Sequence, residues 1–157
     1  MTSRSVPGRT VDSFAQQIRM DSAGATRSAR INGRSATGSC STVLEADGAG
    51  RWLVDGENAP HLDGCLDVDL ESSAMTSALP MRRLGLAVAA QAAAPAAYVH
   101  AVGLAVDRLE QTYLRTPGEA AHQCYDYTAS AFDFECRLVY DQFGLVLDYP
   151  GIAARAA

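Results

Sequence analysis

The chain has 157 residues and a formal net charge of −5, a length that suits one domain. Apolar residues make up 48% and charged residues 20%, the balance of a soluble globular protein. Every basic residue is arginine, and no basic run is longer than Arg82-Arg83, which argues against a nucleic-acid surface or a polybasic membrane anchor.

In chain order, residues 1–12 read as a disordered N-terminus and 13–157 as a single β domain. Met1 to Gln17 is polar, with no apolar core before a small-residue cleavage site, so no secretory signal is read there and a cytoplasmic setting is expected. Ser41 to Ala46, the turn Asp47-Gly48-Ala49-Gly50 and Arg51 to Asp55 read as a hairpin, because Asp-Gly tolerates the positive φ that such loops need. Cys65-Leu66-Asp67-Val68-Asp69-Leu70 alternates polar and apolar residues. On a strand this places Leu66, Val68 and Leu70 on one face and Cys65, Asp67 and Asp69 on the other.

Leu84 to Ala94 is alanine-rich and reads as a loop or short helix ended by Pro95. The longest weakly polar stretch, Leu84 to Leu109, is broken by Gln91, Pro95, His100, Asp107 and Arg108, so it is no membrane span. Tyr98 to Leu104 and Val106 to Leu114 read as strands, although the second also has helical propensity. Gln123 to Thr128, Phe134 to Tyr140 and Leu145 to Tyr149 read as strands from their Tyr, Phe, Val and Leu content. Asp141-Gln142-Phe143-Gly144 is the turn between the last two. Short strands with short connections point to a mainly β fold, an antiparallel sheet that curls or closes into a barrel to bury one face and limit its edges.

Four cysteines, Cys40, Cys65, Cys124 and Cys136, form no C-x-x-C pair and no zinc-ligand spacing. Reduced, buried thiols are the simplest reading, with a Cys124–Cys136 bridge open if the hairpin between them is symmetric. The histidines His61, His100 and His122 have no mutual spacing that suggests a metal site or a triad, and read as surface or structural. No G-x-S-x-G elbow, Gly-rich phosphate loop or dinucleotide fingerprint occurs, and no cofactor is expected.

Asp63, Asp67 and Asp69 fall on one strand face. Carboxylates two apart could hold a hard cation such as Mg²⁺, which would make the chain a metal-dependent enzyme on a sugar or phosphate substrate. Solvation, or pairing with Arg82 or Arg83, is the plainer reading. If Arg82-Arg83 lies on a strand, one arginine meets the aspartates and the other can face a cavity. There its planar fork would suit an anionic head group.

Three ordered blocks are distinctive: His61-Leu62-Asp63-Gly64-Cys65-Leu66-Asp67-Val68-Asp69-Leu70, then Met75-Thr76-Ser77-Ala78-Leu79-Pro80-Met81-Arg82-Arg83-Leu84, and last Gly144-Leu145-Val146-Leu147-Asp148-Tyr149-Pro150-Gly151. Gln111-Thr112-Tyr113 adds a Q-x-Y between them. The chain resembles a bacterial family described as putative glycolipid-binding, formerly a domain of unknown function. That family carries L-D-G-C-I-D-V-D, P-F-T-N-T-L-P-I-R-R-L and G-L-V-x-D-Y-P-G runs.

The resemblance is good over residues 50–152 and faint over 12–49. It implies a curved sheet or β-barrel similar to bacterial lipoprotein-carrier folds. It also implies a glycolipid or other amphiphile as partner. The residues themselves, and not the resemblance, make Arg82, Arg83, Asp67, Asp69 and Thr76 the candidate ligand-binding residues, and no catalytic residue is assigned. An oligomer is open. Family members run longer at the N-terminus, so two readings stand: Phe14 to Arg30 supplies an opening strand pair, or that pair is missing. The family's T-N-T is Thr76-Ser77-Ala78 here and its P-F is Ala74-Met75. These departures leave a truncated, inactive member as a further reading.

Overall fold

The computed structural model describes residues 11–150 and 153–154. It is mainly β, in open sheets. Strands β1 (Val11–Met20), β2 (Thr26–Ser35), β3 (Gly38–Ala46), β4 (Trp52–Val54) and β5 (Glu57–Asn58) form an antiparallel five-stranded sheet in that order. After β6 (Asp67–Leu70), helix α1 (Ala78–Leu84) and the short β7 (Gln91–Ala93) come β8 (Ala96–Val99) and β9 (Val106–Leu109). They are followed by β10 (Thr112–Thr116), β11 (Gln123–Ala129), β12 (Phe134–Tyr140), β13 (Val146–Tyr149) and β14 (Ala153–Ala154). The last five and β7 make a six-stranded sheet in the order β14-β13-β12-β11-β10-β7, and β6-β8-β9 is a separate three-stranded sheet.

The opening strand pair is present: β1 pairs with β2 over ten-residue strands. They turn at Asp21, whose Oδ1 accepts the N–H groups of Ala23 and Ala25 at 3.0 Å. Residues 1–10 of the expected disordered tail lie outside the described residues, while Val11 and Asp12 already belong to β1. The Asp47 hairpin forms as read, with Ala46 opposite Trp52 and the Asp47 carboxylate accepting from the N–H groups of Ala49 and Arg51. Its carboxyl is held below the usual carboxylate range by those bonds, that from Arg51 first.

Two expectations are corrected. The alanine-rich stretch 84–94 is not the helix. The helix lies earlier, over Ala78–Leu84, and ends where Gly85 turns left-handed at φ 54° and donates its N–H to the Met81 carbonyl. Gln91–Ala93 instead forms an edge strand against β10. The four thiols are free, as the simplest reading had it, but only Cys65 is buried and Cys40 is exposed; the alternative Cys124–Cys136 bridge does not form. In the register of β11 and β12, Cys124 faces Val139 and Cys136 faces Tyr127. The two positions are offset by three residues and lie on opposite faces of the sheet.

Burial explains the architecture. One core gathers Ile31, Leu44, Trp52, Leu62, Val68, Leu70, Ala97 and Val99. The other gathers Met81, Leu109, Leu138 and all six tyrosines: Tyr98, Tyr113, Tyr125, Tyr127, Tyr140 and Tyr149. The three-stranded sheet stands between them. Val68, Leu70, Ala97 and Val99 serve the first core, and Tyr98, on the other face of β8, serves the second. This explains why β8, Ala-Ala-Tyr-Val, is buried at every position, and why its pairing with β6 is parallel, the exception in an antiparallel molecule.

Candidate functional site

The site is built around β6, the turn after it and α1. Alternation on β6 sends Val68 and Leu70 into the first core and turns Asp67 and Asp69 the other way. Neither aspartate is a solvated surface group. Asp67 is fully buried, and Arg83 closes on it like a fork: Nε donates to Oδ1 at 3.1 Å and Nη2 to Oδ2 at 2.7 Å. Burial pushes the Asp67 carboxyl up, and the hydrogen bonds and charge of Arg83 pull it back.

Asp69 has no such partner. A turn of 3-10 helix over Ala74–Ser77 places Thr76 beside it. The Thr76 hydroxyl lies 2.8 Å from Asp69 Oδ1 and 3.0 Å from the Ser73 carbonyl, donating to one at a time, and accepts the Leu70 N–H at 3.1 Å. With this single side-chain donor, burial dominates and raises the Asp69 carboxyl to about 6.

Arg82 and Arg83 sit on a helix, not a strand. Successive helical residues are about 100° apart, so Arg83 reaches inward to Asp67 while Arg82 points to solvent. The two arginines are backed by two glycines from distant hairpins. Gly24, at φ +87° in the β1–β2 turn, lies against Arg83, where a Cβ would stand 3.3 Å from the Arg83 Cβ. Gly144, at φ +78° in the β12–β13 turn, lies under Arg82, where a Cβ would stand 3.5 Å from Nε. Arg82 Nη2 donates to the Phe143 carbonyl at 3.3 Å, and no carboxylate pairs with it among the described residues.

Beside Arg82 runs a groove of about 170 Å³ lined by Gln16, Ile18, Met75, Thr76, Ala78, Leu79, Arg82 and Leu145. Its walls come from β1, from the turn and helix after β6, and from the start of the last hairpin. The rim is apolar: Met75 is 62% exposed, and Phe143, next to the glycine under Arg82, is 70% exposed.

All five residues singled out from the sequence therefore belong to one neighbourhood, with distinct tasks. Arg83 and Asp67 neutralise each other, Asp69 and Thr76 form a second, part-buried contact, and only Arg82 and Thr76 line the groove. The sequence did not single out Gln16, Ile18 or Leu145. Their only local signal is apolar or amphipathic alternation on a strand, and tertiary packing alone brings them to Arg82. Gln111 of the Q-x-Y is buried and accepts the Tyr127 hydroxyl at 2.8 Å, an internal structural role. Among the described residues no three His, Cys, Asp or Glu side chains gather as a metal site. His61 and His122 are exposed, and His100 pairs with Asp107 at 2.7 Å on the surface.

Fold and site together define a mainly β protein of open sheets, with an arginine at the mouth of a small apolar groove where its motif segments converge. Compared with known families, the chain matches the model described as putative glycolipid-binding over residues 3–155, and it belongs to that family. It is also similar to the crystal structure of a DUF1089 family protein from Pseudomonas aeruginosa, at 30% identity over 99% of each chain with a TM-score of 0.75. No curated protein matches it. Among the described residues no helix is long and apolar enough to cross a membrane.

Proposed function

We propose that the chain binds an amphiphile in the lateral groove, with the head group at Arg82 and the apolar part along Ile18, Leu79 and Met75 and out over Phe143. One observation carries this reading: an exposed guanidinium, with no acidic partner among the described residues, stands at the mouth of an apolar groove. Such a fork donates to head-group oxygens, and the apolar walls supply about 25 cal/mol for each Å² of ligand surface they cover. The family description supports a glycolipid as the amphiphile.

The inner faces of the sheets are packed by their own side chains, so the apolar contact lies at the seam and not inside a barrel. A groove of 170 Å³ is smaller than the roughly 300–1,000 Å³ of pockets that enclose drug-sized ligands. It takes the head group and the first part of a tail, and the remainder lies on the exposed rim.

Titration of the delipidated protein with a fluorescent fatty-acyl glycolipid tests the reading. Saturable binding is expected. Arg82→Ala weakens it about tenfold, the effect of losing a charge-assisted hydrogen bond, while stability stays within about 0.5 kcal/mol because the side chain is exposed. Non-saturable uptake, or an Arg82→Ala protein that binds as well as the parent, overturns the proposal.

A further inference from the structure

Single exposed apolar side chains are ordinary on a protein surface, but Phe143 and Met75 stand together at one place. Phe143 lies in the tight β12–β13 turn, which the Asp141 carboxylate holds by accepting the N–H groups of Phe143 at 2.9 Å and Leu145 at 3.0 Å. Met75 is carried by the 3-10 turn after β6, which buries its neighbours Thr76 and Ser77 and leaves Met75 outside. Both turns end at the groove: Met75 and Leu145 line it, and the Phe143 carbonyl accepts from Arg82. Among the described residues that line the groove, Arg82 alone is charged. Asp141, the acidic group of the same turn, is engaged with the turn's own backbone.

Size sets what this arrangement holds. A groove of about 170 Å³ is too small to enclose even a drug-sized molecule, and a membrane lipid is larger than that. A short tail finishes on the rim. A long-chain lipid drawn out of a bilayer would leave most of its tail wet, beyond what Phe143 and Met75 cover, and each methylene left in water weakens binding about fourfold. A lipid met at the bilayer surface loses nothing in this way, because its tail never leaves the hydrocarbon. The two side chains at the mouth then enter the boundary between head groups and acyl chains, and Arg82 lies at the level of the phosphates.

We propose that the mouth of the groove is a membrane-docking surface: Phe143 and Met75 insert into the surface of a phospholipid bilayer, Arg82 donates to lipid phosphate, and the amphiphile is recognised in place and not carried away. The inference rests on the amphiphile reading for the groove and adds the partner that presents the ligand. Two apolar side chains and one guanidinium make a patch smaller than the roughly 800 Å² per side of a stable protein interface, so a second protein is the poorer fit. The net charge of −5 opposes approach to an anionic surface, but charges more than about 10 Å from that surface are screened at ordinary ionic strength. Arg82, at the contact itself, is not.

The test is flotation of the full chain with vesicles of phosphatidylcholine and one-fifth phosphatidylglycerol, free of glycolipid and carrying a trace of fluorescent long-chain lipid. The parent is expected to float with the vesicles, and the fluorescent lipid to stay in them. Phe143→Ser/Met75→Ser weakens vesicle binding about tenfold or more, and Arg82→Ala about fivefold. In a Phe143→Trp protein the emission shifts to the blue when vesicles are added, while Trp52, buried in the first core, does not respond. A parent that stays in the buffer, or a double serine variant that floats as the parent does, overturns the docking surface. Fluorescent lipid recovered on protein free of vesicles overturns recognition in place. Calorimetric titration with octyl β-glucoside below its aggregation concentration separates the two readings. If the glucoside binds and vesicles do not, docking fails and the amphiphile reading stands; if neither binds, both fail. Thermal unfolding of the double variant confirms that it is folded, as expected when both replaced side chains are exposed.

Discussion

A carboxylate taken out of bulk water needs a counter-charge, a proton or several hydrogen-bond donors, and β6 withdraws two of them with one arginine in reach. Asp67 takes the arginine with both oxygens. Removing one partner of such a pair leaves a buried charge alone, so Arg83→Ala is expected to cost about 3–5 kcal/mol in chemical denaturation. Adding Asp67→Asn to that variant should recover part of the loss, because the stranded charge is then gone. An Arg83→Ala protein as stable as the parent would mean that the pair carries no such weight.

Asp69 behaves differently. Its carboxyl is raised from the ordinary 3.8 to about 6 by burial, so between those two values the folded state binds the proton more tightly than the unfolded state. Stability from this group is therefore fully present below about pH 4 and falls as pH rises through about 6. Asp69→Asn keeps the shape and an acceptor for Thr76 and has no charge to bury. At pH 7.5 it should melt a few degrees above the parent, corresponding to roughly 1 kcal/mol after discounting for the partial exposure of Asp69. The difference should shrink towards zero as pH is lowered to about 4. A constant offset at every pH would trace the effect to packing and not to ionisation. A residue that lowers stability at neutral pH and is nonetheless held against a groove-lining threonine is the pattern expected beside a binding site.

At the scale of elements, legibility followed the range of the interaction. The Asp47 hairpin and the Asp141-Gln142-Phe143-Gly144 turn were readable because their chemistry is local: in each, one aspartate side chain accepts the N–H groups two and four residues on. The strands from Gln123 to Tyr149 were readable for the same reason, since alternation and aromatic content act within a strand. The segment around Arg82-Arg83 was left open to a strand reading because its helix is only seven residues long. It begins without a side-chain cap and carries Pro80 in its first turn, so its start has little signature apart from that proline. Its end at Gly85 was visible only as a glycine, and the alanines beyond it were a decoy. High helix propensity did not prevent Gln91–Ala93 from completing the edge of a sheet. The alternation read on β6 held, and so did the pairing of an aspartate with an arginine, as Asp67 with Arg83. Alternation alone could not show that both carboxylates are covered, Asp67 by Arg83 of α1 and Asp69 by the turn that carries Thr76. The groove was the least legible part, because Ile18, Leu79 and Leu145 meet there only through tertiary packing.

For the molecule as a whole, the arrangement of two cores about one shared sheet makes a prediction that the spectroscopic residues can report separately. The single tryptophan, Trp52, lies in the first core, and every tyrosine lies in the second. If the cores were independent units, heating would unfold them at different temperatures. They share β6, β8 and β9, however, with Val68, Leu70, Ala97 and Val99 packed one way and Tyr98 the other. Neither core can lose its packing without exposing the back of the sheet that supports its neighbour. Unfolding is therefore expected to be a single transition, with the tryptophan fluorescence and tyrosine near-ultraviolet dichroism curves superimposed. Leu70→Ala sharpens the test, because Leu70 touches only the first core and its truncation costs about 2–5 kcal/mol. Both curves should move down by the same number of degrees. A tryptophan transition that shifts while the tyrosine transition stays in place would show that the middle sheet does not couple the cores. The groove residues from β1 would then be free to separate from those on α1 and the last hairpin.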